Sequence, residues 1–185
     1  MSVGERLREA RTRQKLSLRA LGEKTGFSAS FLSQVELGQT APSLGSLQRI
    51  TDALGLTVAS VLGAEQTTAP AAGGVVRRSS RGSLRSEWSK ATVESLVQPE
   101  ADEKLQAVLL RLEAGGRTGA TTYARGRRLF AYCTSGAAML VLVEPSEELN
   151  VQAGDSVVVE GPRTVAWENR ESTPAEIVVV TAMLG

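Results

Sequence analysis

Residues Leu16 to Pro42 read LSLRALGEKTGFSASFLSQVELGQTAP, two short helical patterns separated by a tight glycine-containing turn. Ser17 stands just before the first pattern, where its hydroxyl can accept a free backbone N–H. Leu18, Leu21 and Thr25 recur at helical spacing and mark one buried face. Gly22 is small at the point where a second helix crosses closely. Gly26 ends the first helix, because glycine takes the left-handed conformation that stops one. Ser28 caps the second helix. Phe31, Leu32 and Val35 turn toward the core, whereas Ala29, Ser30, Ser33 and Gln34 face away. Gly38 ends that helix, and Pro42 with Ser43 opens the next.

The pattern extends on both sides. Five helical segments fit into Met1 to Leu62, anchored by Val3, Leu7 and Ala10; Leu18 and Leu21; Leu32 and Val35; Leu44, Leu47, Ile50 and Leu54; and Val58, Val61 and Leu62. Over residues 3 to 63 the segment resembles the XRE family of phage-repressor-like helix-turn-helix domains, with its spacing kept without a gap. The resemblance implies double-stranded DNA as partner, with the second helix of the pair in the major groove. Arg11 and Glu36 match a family pair that bridges two helices and are assigned to fold support.

Composition narrows the function classes. The chain has 185 residues, no histidine and one cysteine, Cys133. Histidine triads, histidine metal sites and an internal disulfide are excluded. Aromatics make up 4% of the chain, too few for base stacking to be the main binding mode. Without a long apolar run or a signal pattern, a cytoplasmic protein with no membrane partner is expected. Residues 1–63 carry eight basic and five acidic side chains, a net of +3 within a chain of net +1. That suits a few phosphate contacts combined with groove fit.

Residues 64–88 read as a flexible, partly basic linker. It follows Gly63 with AEQTTAPAAGG and continues with Arg77, Arg78, Arg81 and Arg85, followed by Lys90, against Glu87. The run could be a basic arm reaching phosphates. The blander reading, a solvated linker leading into a first strand, is preferred because charge runs are usually solvated.

From 89 to 185 the texture is β: Ala91–Val97, Leu105–Leu112, Leu129–Thr134, Ala138–Val143, Ser156–Val159, Thr164–Glu168 and Ile177–Ala182 are strand-like, punctuated by glycine turns. Seven or more short strands imply a sandwich or barrel. The spacing resembles the cupin family, a jelly-roll barrel with two metal-binding motifs. Gly136 fits the end of the first motif; Thr122 and Ala124 fall where its histidine pair would be, and Leu129 where its glutamate would be. Gly154 and Asn169 frame the second motif, with Val165 in place of its histidine. These residues cannot rebuild a His/Glu site, so no metal, cofactor or catalytic residue is expected. The expected fold class is a multi-domain α and β protein, a five-helix helix-turn-helix domain followed by a cupin-type β-barrel.

The resemblance assigns the DNA-facing residues. Ser28, Ala29, Ser30, Ser33 and Gln34 lie on the recognition helix, with Gln34 the best base reader because Gln can bond an adenine edge twice. Arg19, Gln39, Thr40 and Ser43 are expected at phosphates. A homodimer on a two-fold-symmetric operator is expected. For the barrel, Thr122, Tyr123, Arg125, Arg128, Tyr132 and Trp167 are the candidate ligand residues. The arginines suggest an anionic small-molecule effector. The expected function is a sequence-specific transcriptional repressor, not an enzyme, controlled by that effector. The alternatives are a barrel that only dimerises or docks a protein and, remotely, a cupin enzyme with an attached DNA-binding domain.

Overall fold

The structure is a computed structural model that describes residues 1–63, 75–97, 105–123 and 126–183. Five helices come first: α1 (Val3–Arg13), α2 (Leu18–Thr25), α3 (Ala29–Glu36), α4 (Leu44–Ala53) and α5 (Val58–Leu62). Each begins where the sequence offers a hydroxyl. The side chains of Ser2, Ser17, Ser28, Ser43 and Thr57 each accept the backbone N–H three residues on. Ser2 also completes a reciprocal capping box with Glu5. Leu7, Leu21, Leu32, Leu47 and Ile50 are almost wholly buried between these helices.

One ion pair locks α1 to the end of α3. Arg11 Nε and Nη2 donate to the two Glu36 carboxylate oxygens at 2.6 and 2.8 Å, and Nη1 donates to the Leu16 carbonyl at 2.7 Å. Both side chains are largely buried. The hydrogen bonds to Glu36 raise the Arg11 pKa above its ordinary value, so the guanidinium stays charged despite burial. The expected structural bridge is therefore present, as a bidentate pair that also ties down the α1–α2 turn.

The second half is a two-sheet β-barrel. Its strands are β1 (Ser83–Ser86), β2 (Ala91–Ser95), β3 (Leu105–Leu112), β4 (Thr121–Tyr123), β5 (Arg127–Ser135), β6 (Ala137–Leu142), β7 (Glu147–Gln152), β8 (Ser156–Glu160), β9 (Arg163–Glu168) and β10 (Ala175–Met183). One sheet runs β1-β2-β3-β10-β5-β8 and the other β4-β9-β6-β7. Leu110, Leu112, Leu140 and Ile177 fill the space between them, each almost fully buried; burying such a side chain contributes about 1.5–3 kcal/mol. Asn169 acts as a buried staple. Its Nδ2 donates to the carbonyls of Leu112 and Thr173 at 3.0 and 2.8 Å, and its Oδ1 accepts the Glu171 N–H at 2.9 Å.

The seven strands expected from sequence are present, with ends shifted by up to two residues. Three further strands were not expected, β1, β4 and β7, and all three are sheet edges. An edge strand need bury only part of one face, so its alternation is weak. β7 buries only Val151 fully. β1 falls inside the 64–88 segment read as linker and pairs with β2 from Ser83↔Glu94 to Ser86↔Ala91. Of the arginines there, Arg81 pairs with Glu94 and Arg85 with Glu87. Residues 64–74 lie outside the described set.

The two halves touch. Helices α4 and α5 pack on β2, β3 and β4 at one end of the barrel. The Gly45 N–H donates to the Thr118 carbonyl at 3.0 Å. A Cβ at Gly45 would stand 2.5 Å from the Ala120 carbonyl oxygen, so only glycine permits this approach. The Ala41 carbonyl, just before α4, accepts from Ser86 Oγ at 3.2 Å and from Trp88 Nε1 at 2.9 Å.

Cys133, on β5, is fully buried. Burial pushes its thiol pKa above the ordinary value, and the Asp155 charge adds to that. Its sulfur lies 3.4 Å from the Ser135 carbonyl oxygen. These surroundings make a packed neutral thiol rather than a reactive thiolate.

Two outcomes are expected. Arg11→Ala leaves a buried carboxylate uncompensated and should cost about 3–5 kcal/mol in denaturant unfolding, whereas Arg11→Met combined with Glu36→Leu should recover most of that loss. Cys133 should stay silent toward a chromogenic disulfide reagent at pH 8 in the folded protein and react fully in guanidinium. Rapid labelling of the native protein would contradict the packed-thiol reading.

Candidate nucleic-acid interface and the cavity behind it

The turn between α2 and α3 is shaped by two glycines. Gly26 caps α2 at φ +73°. Gly22 is buried, and a Cβ there would meet the Phe27 carbonyl oxygen at 2.6 Å, so the close approach is to the turn itself. Phe27 and Phe31 pack across the turn with ring centroids 5.0 Å apart. Thr25 Oγ1 donates to the Leu21 carbonyl at 2.8 Å, which removes its polar group from the buried face. Leu32, Val35 and Glu36 are the buried side of α3.

What remains on α3 is the outward face. Ser28, Ala29, Ser30 and Gln34 are exposed and Ser33 is half-buried. These five residues form one short-side-chain surface with Gln34 as its longest reach. Ser28 is already engaged, because its Oγ accepts the Phe31 N–H at 3.1 Å. Arg19 on α2 is exposed and contacts only Glu23 at 3.2 Å, one turn away. Such exposed pairs are weak, so Arg19 is free to swing. Gln39 is exposed and Thr40 half-buried in the α3–α4 loop.

Ser43 is different. It is 2% exposed, its Oγ accepts the Ser46 N–H at 3.1 Å, and it lies against Gly119 of the barrel. The expectation of a phosphate contact at Ser43 is corrected for this arrangement, because the barrel covers the start of α4. Sequence alone could not show this, since it depends on how two domains meet.

Behind that contact is a cavity whose volume open to water centres is about 30 Å³, space for about two waters. Leu44, Gln48 and Val58 from the helical domain form one wall. The barrel contributes the polar side chains Gln106, Thr118, Thr121 and Thr181, with Val165 and Trp167 among its apolar ones. Among the described residues no lining side chain carries a formal charge. Gln48 Nε2 is held by Asp52 Oδ1 at 2.8 Å. Thr118 Oγ1 accepts the Trp167 backbone N–H at 3.0 Å and donates to the Gly119 carbonyl at 2.9 Å. Among the described residues the buried Trp167 indole N–H has no hydrogen-bond partner.

The expected ligand residues do not converge here. Trp167 does line the cavity. Thr122 is exposed and its hydroxyl lies 2.9 Å from that of Thr164, outside the barrel. Period-two alternation puts its neighbour Thr121 inside instead, opposite Val165. Arg128 is on the outer face, paired with Glu160 at 2.8 Å. Tyr132 is 41% exposed on the same outer face. Tyr123 closes β4, where its backbone pairs with Arg163. Arg125 lies outside the described residues. Thr121, Thr181 and Gln106 were missed, although buried polar residues alternating within apolar strands are a usable signal for a lined cavity. Gln48 had no such signal, because it belongs to the other domain.

The residues present do not fit a cupin metal. Leu129 and Val165 are buried where the family's glutamate and second-motif histidine would be, and neither has a donor atom. Among the described residues no three His, Cys, Asp or Glu side chains stand together to hold an ion.

The helix-turn-helix domain family matches residues 2–62. The immunity repressor protein of Bacillus phage phi105 is 37% identical over 65 residues, which is 35% of this chain and 45% of that protein. The chain thus spans less than half the length of that relative. The HTH-type transcriptional regulator SinR of Bacillus subtilis is 27% identical over 108 residues, 58% of this chain and 88% of that protein. The crystal structure of an HTH_3 family transcriptional regulator from Vibrio cholerae matches in fold with a TM-score of 0.73, at 17% identity, over 99% of this chain and 96% of that one. Residues 2–62 therefore form a helix-turn-helix domain similar to that of phage-repressor-type regulators, carried on a chain whose second half is a two-sheet β-barrel.

Proposed function

We propose that the chain is a sequence-specific transcriptional repressor that binds operator DNA through α3 and responds to a small molecule in its barrel. The observation that carries this is the exposed face of α3, held by a capped, glycine-turned helix pair in which Leu21, Leu32 and Val35 are buried. Ser and Gln side chains bond base edges, and Ala29 suits a thymine methyl. The readers are short, so DNA shape shares the discrimination. Arg19, Gln39 and Thr40 supply the phosphate side of the interface. No helix is long and apolar enough to cross a membrane among the described residues, which fits a nucleic-acid partner in the cytoplasm.

A homodimer follows from two-fold half-sites, and one barrel surface suits it. Phe130, Tyr132 and Val158 are exposed side by side on the outer face of β5 and the edge strand β8, beside Val178 and Val180 of β10. This patch is also what favours the second reading, a barrel that serves only to join two copies. The enzyme reading has no support in the cavity, where no acid/base pair is present. The anionic effector loses one of its two arginines, since Arg128 already has a carboxylate partner outside the barrel.

Gln34→Ala should relax preference at one base pair per half-site and weaken operator binding by about 1–3 kcal/mol; selection of bound sequences from a random pool would reveal it. An unchanged base preference would remove Gln34 as a reader. Phe130→Lys with Val158→Lys should give a monomer by sedimentation and lower operator affinity by more than tenfold. Retained dimers would place the interface elsewhere.

A further inference from the structure

We propose that the cavity between α4, α5 and the barrel mouth binds a small neutral organic molecule with a hydrogen-bond-accepting oxygen, and that its occupancy lifts α4 off the barrel. This rests on the effector-controlled reading and specifies both the ligand class and the direction of control.

The chemistry of the wall sets the class. Among the described residues no charged side chain lines the cavity, so a bare carboxylate or ammonium would lose its hydration with none of these side chains to replace it. The polar lining is amide and hydroxyl, from Gln48, Gln106, Thr121 and Thr181. Trp167 lines the same space, is 2% exposed, and its indole N–H has no partner. An indole N–H only donates, so the group that satisfies it must accept. A ketone, ether or amide oxygen on an apolar body meets both demands, because Leu44, Val58 and Val165 supply the apolar contact.

The size of the space sets the coupling. A benzene-sized guest needs a cavity of about 150 Å³, whereas the closed cavity offers about 30 Å³ to water centres. The barrel walls are hydrogen-bonded strands, while Leu44, Gln48 and Val58 belong to a separate domain resting on them. The helical wall is the part that can yield. Moving it breaks the Gly45 N–H bond to Thr118 and the two bonds from Ser86 and Trp88 to the Ala41 carbonyl. Those bonds hold the loop and helix start where Gln39, Thr40 and Ser43 lie. Release uncovers Ser43 and the first N–H groups of α4, which then face solvent or phosphate. Ligand therefore strengthens operator binding in this scheme.

The test uses the full chain labelled with ¹⁵N. Trp88→Phe identifies the Trp167 indole resonance. Acetone, tetrahydropyran and cyclohexanone are titrated against cyclohexanecarboxylate at equal concentrations. A saturable shift of the Trp167 indole and Gly45 amide resonances with at least one neutral probe, and none with the carboxylate, is expected. No shift with any neutral probe overturns the site, and a saturable shift with the carboxylate overturns the neutral class. The same probe at saturation should raise operator affinity by about tenfold. An indole shift without a Gly45 shift, or without a change in affinity, overturns the coupling and leaves the site. Gly45→Ala, which pushes against the Ala120 carbonyl, should give the higher affinity without any probe and lose the response; affinity equal to the parent chain would overturn the proposed role of docking. If no form of the chain binds DNA, the regulator reading fails, whereas the indole and Gly45 shifts still decide the site.

Discussion

A barrel open at one end must cover the apolar rim of its mouth, and in this protein the cover is the helix-turn-helix domain itself. Leu44, Gln48 and Val58 close the space above Trp167, Thr121 and Val165. The close approach depends on Gly45, which lacks the Cβ that would strike the Ala120 carbonyl. Most of what distinguishes this chain from its two parts follows from that seat. It sets the volume of the cavity, supplies a wall from a second domain, and buries the N-terminal cap of α4.

The seat also joins two kinds of interaction of unequal strength. Within each domain, closely packed Leu and Ile side chains and the Arg11–Glu36 bridge hold the elements in single positions. Between the domains, the hydrogen bonds among the described residues are one backbone bond at Gly45 and two to the Ala41 carbonyl, beside apolar packing of α4 and α5 on β2, β3 and β4 that runs into the same hydrophobic cluster as both cores. Interfaces of this kind within a chain are the ones expected to move.

Legibility in the sequence varied with how local the cause was. The caps at Ser17 and Ser28, the stop at Gly26 and the buried stripe of α3 are set within a few residues, and all were readable. Central strands were readable because both neighbours demand regular alternation; β3 was located to the residue. The edge strands β1, β4 and β7 were not, since one missing neighbour relaxes the pattern, whereas the edge strand β8 was marked by its run of three valines, Val157 to Val159. Among site residues the outward set on α3 was readable from helical spacing alone. The barrel set was displaced by one residue at Thr122, because spacing borrowed from a family motif does not say which side of the pleat a residue takes. Thr121 faces inward and Thr122 outward for reasons of pairing with Val165 and Thr164.

The amino-acid sequence by itself determined that the first domain is a helix-turn-helix unit, that no histidine chemistry is available, and that a strand-rich domain follows. Those properties rest on residue type and short-range periodicity. Tertiary structure decided which hydroxyls line the cavity, that Arg128 and Tyr132 stand outside it, that Trp167 carries an unmet donor, and that Ser43 is covered. Each of these depends on surfaces brought together from distant parts of the chain. Gly45 meets Thr118 and Ala120 across more than seventy residues of sequence, and no local pattern records that contact.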